Sequence, residues 1–408
     1  MDVNARRIGQ ARPTEDTGTR RTGMLVLATI GFAVSFWAWA LLSPLGPTLR
    51  SELSLTSFEQ SLLVAVPVIV GSLGRIPVGA LTDRLGARRM FPAVAALTIP
   101  PVLYLGHLAD SFAGYLIGGF FLGLAGTTFA VGVPFVNSWY PPQRRGLALG
   151  IFGAGMGGTA ISAFTTVQLA DTVGRWFPFD LVAAVLAGYA IVAHLLLRDR
   201  PDRPIPSGSV LDRTAAALRT PATLQLSLLY AVAFGGFVAF SVYLPTYLVT
   251  AFDLSRSDAA LRTAGFVLLA VAMRPVGGWL SDRLHPVPVL VGGYLVVAGL
   301  ALLASFELAL IPVGTIAFLG MAAALGSGAG AVFALLARVV PVERVGSVTG
   351  VVGAAGGLGG FFPPLVMGAI FGLLGDYSWG LALLAATAAL AGLFTMVTFG
   401  RSTASHSR

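Results

Sequence analysis

Two arginines, Arg75 and Arg274, lie inside long apolar stretches of the chain, where a charged side chain is costly. An arginine at the centre of a membrane helix costs about 2.5–3.5 kcal/mol on an insertion scale, so keeping two of them indicates a function for the charge. A guanidinium is planar and offers a fork of N–H donors that suits a planar oxyanion. The residue type therefore predicts a clamp in which two arginines hold one small anion.

The sequence around each arginine is repeated. Arg75 begins the segment RIPVGALTDRL and Arg274 begins RPVGGWLSDRL, and every matched position differs by 199 residues. A second pair of segments, QRRGLALGIFGAGMG at 143–157 and ERVGSVTGVVGAAGG at 343–357, matches with an offset of 200. Two windows with nearly one offset predict two halves related by an axis along the membrane normal, with the binding site between them at mid-depth.

The depth of Arg75 also favours a central position. It lies seven residues from the end of its predicted span, which is about 10 Å at the rise of an α-helix and close to the middle of a bilayer. The alternative is that either arginine extends along its helix to the membrane surface. The repeat argues against this alternative, because it makes the two side chains face each other across the pseudo-two-fold axis.

The elements that position the arginines follow from the composition. Of the 408 residues, 56% are hydrophobic and only 11% are charged, which indicates a polytopic membrane protein. A helix needs about 20 apolar residues to cross the hydrocarbon core. Twelve segments of this kind are predicted, at 24–48, 58–82, 89–107, 113–139, 145–169, 178–197, 222–250, 258–281, 286–305, 310–338, 346–374 and 377–400.

The twelve spans fall into two groups of six, and this grouping predicts the domains. The N-terminal tail is polar and lacks the apolar core of a cleavable signal peptide, so it is expected to be disordered. The predicted parts are a tail at 1–23, a six-helix bundle at 24–197, a Pro- and Arg-rich linker at 198–221, a second six-helix bundle at 222–400 and a C-terminal tail at 401–408.

Charge predicts the orientation of the chain. An even number of spans puts both termini on one side, and that side holds 20 of the 26 arginines, whereas the loops of the other side hold four. The positive-inside rule then predicts cytoplasmic termini. The net charge of +8 is explained by this topology and gives no support to nucleic-acid binding.

Two motifs carry a family resemblance. The segment GALTDRLGARR at 79–89 resembles the loop motif of the major facilitator superfamily, and it falls between a second and a third span. The segment GSVTGVVGAAGGLGGFFP at 346–363 looks like the glycine-rich eleventh-span signature of the nitrate/nitrite porters, the NarK-type carriers, and 146–158 is similar to its fifth-span partner. The resemblance places Arg75 and Arg274 where that family holds its anion.

This resemblance carries expectations about fold and function. It implies an all-α polytopic protein with the major facilitator fold, in which two pseudo-symmetric six-helix bundles face each other. It also implies a monomer in the lipid bilayer of a bacterial cytoplasmic membrane that carries nitrate and nitrite by alternating access. No cofactor and no metal are expected.

Aromatic side chains are expected to form the walls of the anion site. By the resemblance, Phe129 matches a fourth-span phenylalanine that packs against the substrate. In the seventh span, Phe240 stands where many family members carry a tyrosine that bonds the substrate, and Tyr243, three residues later, could reach the same face. Ordinary helix packing is the alternative for each of these rings.

Two glycine series recur on one side of the fifth and eleventh helices. Their spacings of three and four residues allow two helix backbones to approach closely. This surface could serve static packing or the rocking of the two halves. The series are Gly150, Gly153 and Gly157, and their copies Gly350, Gly353 and Gly357.

The loop motif predicts a latch between the halves. Asp83 lies at a helix end, where it can accept hydrogen bonds from the N-terminus of a helix in the other half, and the resemblance gives it this role together with Gly79 and Arg84. A solvated loop acid is the alternative. Asp282 is expected to be a degenerate copy, because its segment lacks the final glycine and the paired basic residues.

The acids and histidines bear on how transport is driven. All 18 acids fall in tails, loops or span ends, with Glu59 and Asp180 close to span edges, and none of the four histidines is central. Because proton-driven carriers hold such groups in the pathway, anion exchange is expected. Proton-coupled nitrate uptake, and carriage of another small anion or a drug, remain alternatives.

Classes other than transport find less support. A non-transporting anion sensor is disfavoured because the tails and the linker are too short for an added cytoplasmic domain. An enzyme is not expected, because the sequence has no nucleotide loop, metal cluster or nucleophile and base pair.

Overall fold

Long apolar runs separated by short polar loops fold into helices throughout the described chain. The computed structural model describes residues 15–141, 145–200, 210–340 and 345–404, and these ranges contain helices and loops but no strand. Twelve helical segments in these ranges are long and apolar enough to cross a membrane. The prediction of an all-α protein with twelve spans is therefore confirmed.

The N-terminal half contains spans 1 to 6, and four of these spans are interrupted by short irregular or 3-10 segments. The helices are α1 (Glu15–Trp39) and α2 (Leu42–Leu53) in span 1, α3 (Ser57–Leu73) and α4 (Arg75–Leu85) in span 2, α5 (Ala87–His107) in span 3, α6 (Phe112–Leu122), a 3-10 helix (Gly123–Thr127) and α7 (Thr128–Trp139) in span 4, α8 (Arg145–Gly153), a 3-10 helix (Ala154–Gly157) and α9 (Gly158–Thr172) in span 5, and α10 (Phe177–Leu196) in span 6.

The C-terminal half contains spans 7 to 12 and follows a short helix in the linker. The helices are α11 (Val210–Leu218) in the linker, α12 (Pro221–Phe252) in span 7, α13 (Arg256–Leu284) in span 8, α14 (Pro286–Ala304) in span 9, a π-helical turn (Leu310–Gly314) and α15 (Thr315–Val339) in span 10, α16 (Val345–Gly359) and α17 (Phe362–Leu374) in span 11, and α18 (Ser378–Ala404) in span 12.

The structure adds two elements to the polar regions that were predicted at 1–23 and 198–221. Helix α1 begins at Glu15, so the end of the tail continues the first span, and α11 packs against α16. The rest of these predictions concerns residues 1–14, 201–209 and 405–408, which lie outside the described residues. Residues 142–144 and 341–344, which begin the repeated fifth- and eleventh-span segments, also lie outside them.

Equivalent spans pack in equivalent pairs in the two halves. Span 2 contacts span 4, and span 8 contacts span 10. At Gly126 an added Cβ would lie 2.9 Å from the Cα of Gly71, and at Gly330 it would lie closer than 3.0 Å to the carbonyl oxygen of Arg274. Such close approach of backbones requires small residues. The arginine-bearing spans are thereby held rigidly beside spans 4 and 10.

The loop motif after span 2 is held by a carboxylate from the end of span 6. Gly86 has φ 85° and ψ 156°, a region that is essentially confined to glycine. The amides of Ala87 and Arg88 donate to the carboxylate of Asp199, and the Ala87 bond is 2.9 Å long. An acid at a helix N-terminus is stabilised by the helix dipole. This capping lies within the N-terminal half.

In the C-terminal half, the equivalent turn after span 8 is stabilised by a different residue. His285, offset by 199 from Gly86, adopts φ 75° and ψ 143°, and its Nδ1 accepts a bond from the amide of Val287 at 3.4 Å. The imidazole thus caps its own helix where the first half uses a glycine and a separate aspartate. This difference agrees with the expected degeneracy of the motif around Asp282.

The two halves are bonded to each other on the side opposite the termini, which we call the opposite face; the side of the termini is the terminal face. Ser43 donates to the carbonyl oxygen of Val242 at 2.7 Å, and Gln60 Nε2 donates to Thr246 Oγ1 at 3.0 Å. These bonds are buried, and each joins the N-terminal half to span 7. Separating the halves at the opposite face therefore requires that buried polar groups be rehydrated.

Replacing Gly86 with alanine tests the capped turn. We expect Gly86→Ala to lower the stability by about 1–3 kcal/mol, because a Cβ is strained at this φ and ψ and would contact the Asp199 carboxylate. Thermal unfolding in detergent, followed by tryptophan fluorescence, measures the change. The matched control is Gly188→Ala on the exposed side of α10, where an added Cβ meets nothing within 4 Å. Equal melting temperatures for the two variants would contradict the assignment.

Candidate functional site at the central arginines

Arg75 is a buried arginine that spans the gap between the halves. It is the first residue of α4, and only 8% of its surface is exposed. Its Nη1 donates to the carbonyl oxygen of Gly353 in the other half at 2.7 Å, and its Nε lies 3.4 Å from the carbonyl oxygen of Gly126. Backbone carbonyls from both halves therefore hold this guanidinium in place.

Arg274 also reaches across to the other half, but it is held by fewer partners. Its Nη1 contacts the sulfur of Met156 in span 5 at 2.7 Å. Its Nε and Nη2 are buried, and neither has a hydrogen-bond partner among the described residues. These two nitrogens share one edge of the guanidinium, so their N–H groups are parallel. That edge is the geometry that binds an oxyanion through two hydrogen bonds.

One phenylalanine ring lies between the two arginines. The guanidinium carbon of Arg75 is 5.9 Å from the ring centroid of Phe234, and that of Arg274 is 4.9 Å from it. Phe129 lies 5.2 Å from Arg75, and Phe237 lies 5.1 Å from Arg274. The faces of aromatic rings attract cations within about 6 Å. We call these five residues the central arginine cluster.

Tyr230 extends the aromatic wall of this cluster. Its ring stacks on Phe234 with a centroid distance of 4.9 Å, and its phenol lies near both guanidinium groups. Gly356 makes room for both rings, because an added Cβ there would lie within 3.0 Å of each. A glycine in span 11 thus sets the position of an aromatic pair in span 7.

The charge of the two arginines is not neutralised by a protein carboxylate in the described part of the chain. The buried polar and charged side chains there are serines, threonines, Gln60 and Arg75, and the recorded ion pairs lie at span ends. No group of three or more possible metal ligands occurs in these residues either. Because an unpaired buried charge is unfavourable, the cluster favours the binding of an anion.

The structure places the two other predicted seventh-span residues away from the cluster. Phe240 packs against Phe266 and Phe318, with centroid distances of 5.3 and 6.0 Å. The hydroxyl of Tyr243 lies 3.4 Å from that of Tyr377. The rings beside Arg274 instead belong to Phe234 and Phe237, one to two turns earlier in α12. The predicted arginines and Phe129 come together, whereas Phe240 and Tyr243 lie elsewhere.

The two predicted glycine series do not supply the close backbone contacts that were expected of them. Added Cβ atoms at Gly150, Gly153, Gly157 and Gly350 would meet nothing within 4 Å. The tight contacts come from other glycines of the same spans: Gly155 and Gly158 pack on span 1, and Gly356 and Gly359 pack on span 7.

Two members of the eleventh-span series lie beside Arg75 instead. The carbonyl of Gly353 binds Arg75, and an added Cβ at Gly353 would lie 3.5 Å from the ring of Phe129. At Gly357 an added Cβ would contact Ser72 and lie 3.5 Å from Nη1 of Arg75. These glycines leave the space into which the Arg75 side chain extends.

The predicted latch residues lie at equivalent ends of spans 2 and 8. Asp83 is half-buried near the end of α4, and Asp282 is exposed near the end of α13. Arg84 is exposed, and an added Cβ at Gly79 would lie 3.7 Å from Ala130 in span 4. The carboxylate that caps a helix at this motif is that of Asp199. A contact from Asp83 to the other half stays a prediction.

Sequence reasoning missed several residues of the site. Tyr230, Phe234 and Phe237 follow one helical face at spacings of four and three, but a regular aromatic spacing is also typical of ordinary packing. Met156 carries no signal for an arginine partner. The pair Gly126 and Gly326, with an offset of 200, could have indicated that spans 4 and 10 approach spans 2 and 8 closely.

Sequence comparisons place the chain among transporters. The family model described as the Major Facilitator Superfamily matches residues 28–261 and 226–408. A protein of Mycobacterium tuberculosis (strain ATCC 25618 / H37Rv), named "Probable nitrate/nitrite transporter NarK2", is 52% identical over 378 residues, which cover 91% of this chain and 95% of the relative. The "Nitrite extrusion protein" of Bacillus subtilis (strain 168) is 39% identical over 361 residues, which cover 87% and 89%.

Solved structures agree on the fold. A bacterial homologue of the human lysosomal transporter Spinster, in an inward-facing and occupied conformation, matches with a TM-score of 0.71 and 20% identity over 92% of this chain and 96% of that chain. The human organic anion transporter MFSD10 matches with a TM-score of 0.71 and 16% identity over 92% and 99%. At these identities the likeness concerns the fold alone.

Substitutions of two phenylalanines of α12 test whether the aromatic wall contributes to anion binding. We expect Phe234→Ala to weaken small-oxyanion binding about tenfold, because both guanidinium groups lose a ring that holds them in place. Affinity can be measured by calorimetry on purified protein. Phe240→Ala is the matched control and is expected to change affinity by less than about twofold, since it lies outside the cluster. An equal loss in both variants would refute this account of the site.

Proposed function

Because this chain belongs to the major facilitator superfamily, and within it to the NarK-type nitrate/nitrite porters, we propose that it transports nitrate and nitrite by alternating access. Its relatives are transporters and not enzymes. The observation that carries the proposal is the meeting of Arg75 and Arg274 from opposite halves around Phe234. This arrangement offers a planar anion two positive charges, with no carboxylate of the described residues between them.

The free edge of Arg274 is the proposed primary contact. Nitrate and nitrite are planar, and two of their oxygens match the parallel N–H groups of Nε and Nη2. Arg75 already donates to Gly353, and its charge contributes to the attraction from the other half. Phe129 and Phe234 provide apolar faces that exclude water. Tyr230 adds a phenol near both arginines.

We propose that Phe240 and Tyr243 serve helix packing and do not contact the anion. Both lie on a face of α12 that does not carry Phe234 and Phe237, and both pack among aromatic residues of the C-terminal half. We assign them to the internal packing of span 7, so that the anion contacts of this span come from the cluster.

The position of the bonds between the halves supports the proposed alternating access. The buried bonds of Ser43 and Gln60 to span 7 hold the opposite face together. Gly150 and Gly350, where an added Cβ would meet nothing within 4 Å, lie towards the terminal face, as does the motif around Asp83. In the proposed cycle, bonds form at the terminal face as those at the opposite face break, and the anion moves from one side to the other.

The termini are proposed to be cytoplasmic, in a bacterial cytoplasmic membrane. The support is the charge asymmetry, with 20 of 26 arginines on the side of the termini. On this orientation the opposite face is extracellular, and the bonds of Ser43 and Gln60 close the outer side of the pathway.

Exchange of one anion for another is the proposed mode of coupling. An empty carrier that changes state must keep two unpaired positive charges in a region of low dielectric. A bound anion offsets one of these charges, so reorientation is favoured when the site is loaded. Each outward step with one anion is then followed by an inward step with another.

Proton-coupled uptake is the competing mode, and Glu59 is the first acid to consider as its proton carrier. In the structure, this residue has a capping role. Glu59 forms a capping box with Thr56 at the start of α3: Thr56 Oγ1 and N each donate to Glu59 Oε2 at 2.8 Å, and the Glu59 amide donates to Thr56 Oγ1 at 3.2 Å. This arrangement stabilises the start of a helix. The geometry therefore favours a structural role for Glu59.

Arg75→Lys tests the guanidinium geometry. We expect it to abolish most nitrate transport, by about tenfold or more, although the charge is kept. A single ammonium cannot replace the bonds from Nη1 and Nε to two carbonyls while also facing an anion. Uptake into proteoliposomes measures the effect. The control is Arg262→Lys, a surface pair with Asp258, which should transport normally. Near-normal uptake by Arg75→Lys would mean that a point charge is sufficient.

Counterflow in proteoliposomes tests the coupling. We expect vesicles loaded with labelled nitrate to release it rapidly into nitrate or nitrite, and slowly into a medium without an exchangeable anion, because the unloaded carrier reorients slowly. An imposed pH gradient should not drive accumulation. Accumulation driven by a proton gradient, with no anion on the far side, would overturn exchange and leave the anion site intact.

Glu59→Gln separates capping from proton transfer. Glutamine preserves a capping box but carries no titratable group. We expect this variant to transport nitrate at the normal rate with an unchanged pH profile, measured by counterflow over a range of pH. Glu59→Ala is the companion variant, and it should lower thermal stability because the capping-box bonds from Thr56 to the Glu59 carboxylate are lost. A pH profile altered by Glu59→Gln would support proton coupling.

A further inference from the structure

A cavity lies behind span 7, away from the central arginine cluster. It has a volume of about 340 Å³ and is enclosed by spans 7, 11 and 12. It forms where span 11 is interrupted: α16 ends at Gly359, and α17 begins at Phe362 with prolines in its first turn. Proline is favoured at the start of a helix, so the break is encoded in the sequence.

The lining of this cavity is apolar. It consists mainly of aliphatic and aromatic side chains, and no charged residue contributes to it. Its few hydroxyl groups have partners or lie at its edge: Thr387 donates to Leu383 in its own helix, and Tyr243 pairs with Tyr377. A ligand with a charged or strongly polar group would lose its hydration here without compensation. The site therefore fits a hydrocarbon.

The cavity opens towards the bilayer. Leu228, Phe362 and Leu383 line it and have 50%, 61% and 51% of their surfaces exposed. All three lie within membrane spans, where the exposed surface of the bundle contacts lipid. The opening is thus reached from the hydrocarbon core.

Span 7 separates the cavity from the anion site. Tyr230, Phe234 and Phe237 occupy one face of α12, whereas Gly236, Phe240, Tyr243 and Tyr247 recur at four, three and four residues on another face. The second set lines the cavity. Whatever fills the cavity therefore packs against the helix that carries the aromatic wall of the arginine cluster.

We propose that this cavity binds an acyl chain of a membrane phospholipid. The volume falls in the range of ordinary ligand pockets. An unfilled space would leave its lining without dispersion contacts, and the bilayer supplies acyl chains at this depth in large excess. The lack of charged lining residues places the headgroup outside the cavity, at the membrane surface. In this proposal the acyl chain fills the cavity and packs against the face of span 7 that points away from the arginine cluster.

Photocrosslinking of the full chain in liposomes tests this site. The probe is a phosphatidylcholine with a diazirine in one acyl chain, and adducts are mapped by mass spectrometry of peptides. We expect the strongest labelling on the segments that line the cavity in spans 7, 11 and 12. Leu384→Phe, which places a larger side chain in the cavity, should reduce this labelling several-fold. The matched control is Leu390→Phe, on the same helix and 65% exposed, which should leave it unchanged.

A second filling variant keeps the proposal testable if Leu384→Phe folds poorly. Val232→Phe reaches the same cavity from span 7 and should reduce the labelling in the same way. Labelling spread evenly over all lipid-facing segments, or unchanged in both filling variants, would overturn the proposal. The adducts are measured without any transport, so this outcome is independent of whether the chain carries nitrate.

Discussion

The burial of two positive charges between the halves is the constraint on which the rest of the structure depends. In a region of low dielectric, an arginine is tolerated only if its donors are bonded and its charge is compensated. Arg75 meets the first condition through the carbonyls of Gly126 and Gly353. Aromatic faces give partial compensation to both arginines. The remaining imbalance is what an anion would supply, so binding and the change of state become linked.

The duplicated chain uses its two arginines unequally. Arg75 starts a new helix after the break at Gly74 and is fixed by backbone groups of both halves. Arg274 lies within the uninterrupted helix α13 and keeps one edge free of protein partners among the described residues. One arginine therefore forms a fixed wall and the other presents donors. The same asymmetry appears at the loop motif, where Gly86 and Asp199 in one half are replaced by His285 in the other.

The apolar cavity and the anion site are linked through span 7. The helix presents aromatic rings on two faces: one set forms the wall of the arginine cluster, and the other set lines the cavity. The breaks in spans 2 and 11 lie beside these two regions. Interruptions of a membrane helix are tolerated where backbone groups are buried in protein or line a cavity, which is the case at both places.

The sequence by itself determined the twelve spans, the two halves, the family and the pair of arginines. These features depend on the length of apolar runs, on a repeat offset and on residue types, all of which are local in the chain. Phe129 was also found, through the resemblance. The tertiary structure decided which other groups meet the arginines: Phe234 and Phe237 in place of Phe240, Met156, and the carbonyls of Gly126 and Gly353. Those contacts depend on the rotation of each helix about its axis, and a shift of one residue turns a side chain by about 100°. Packing between distant spans sets that rotation, and the local sequence does not.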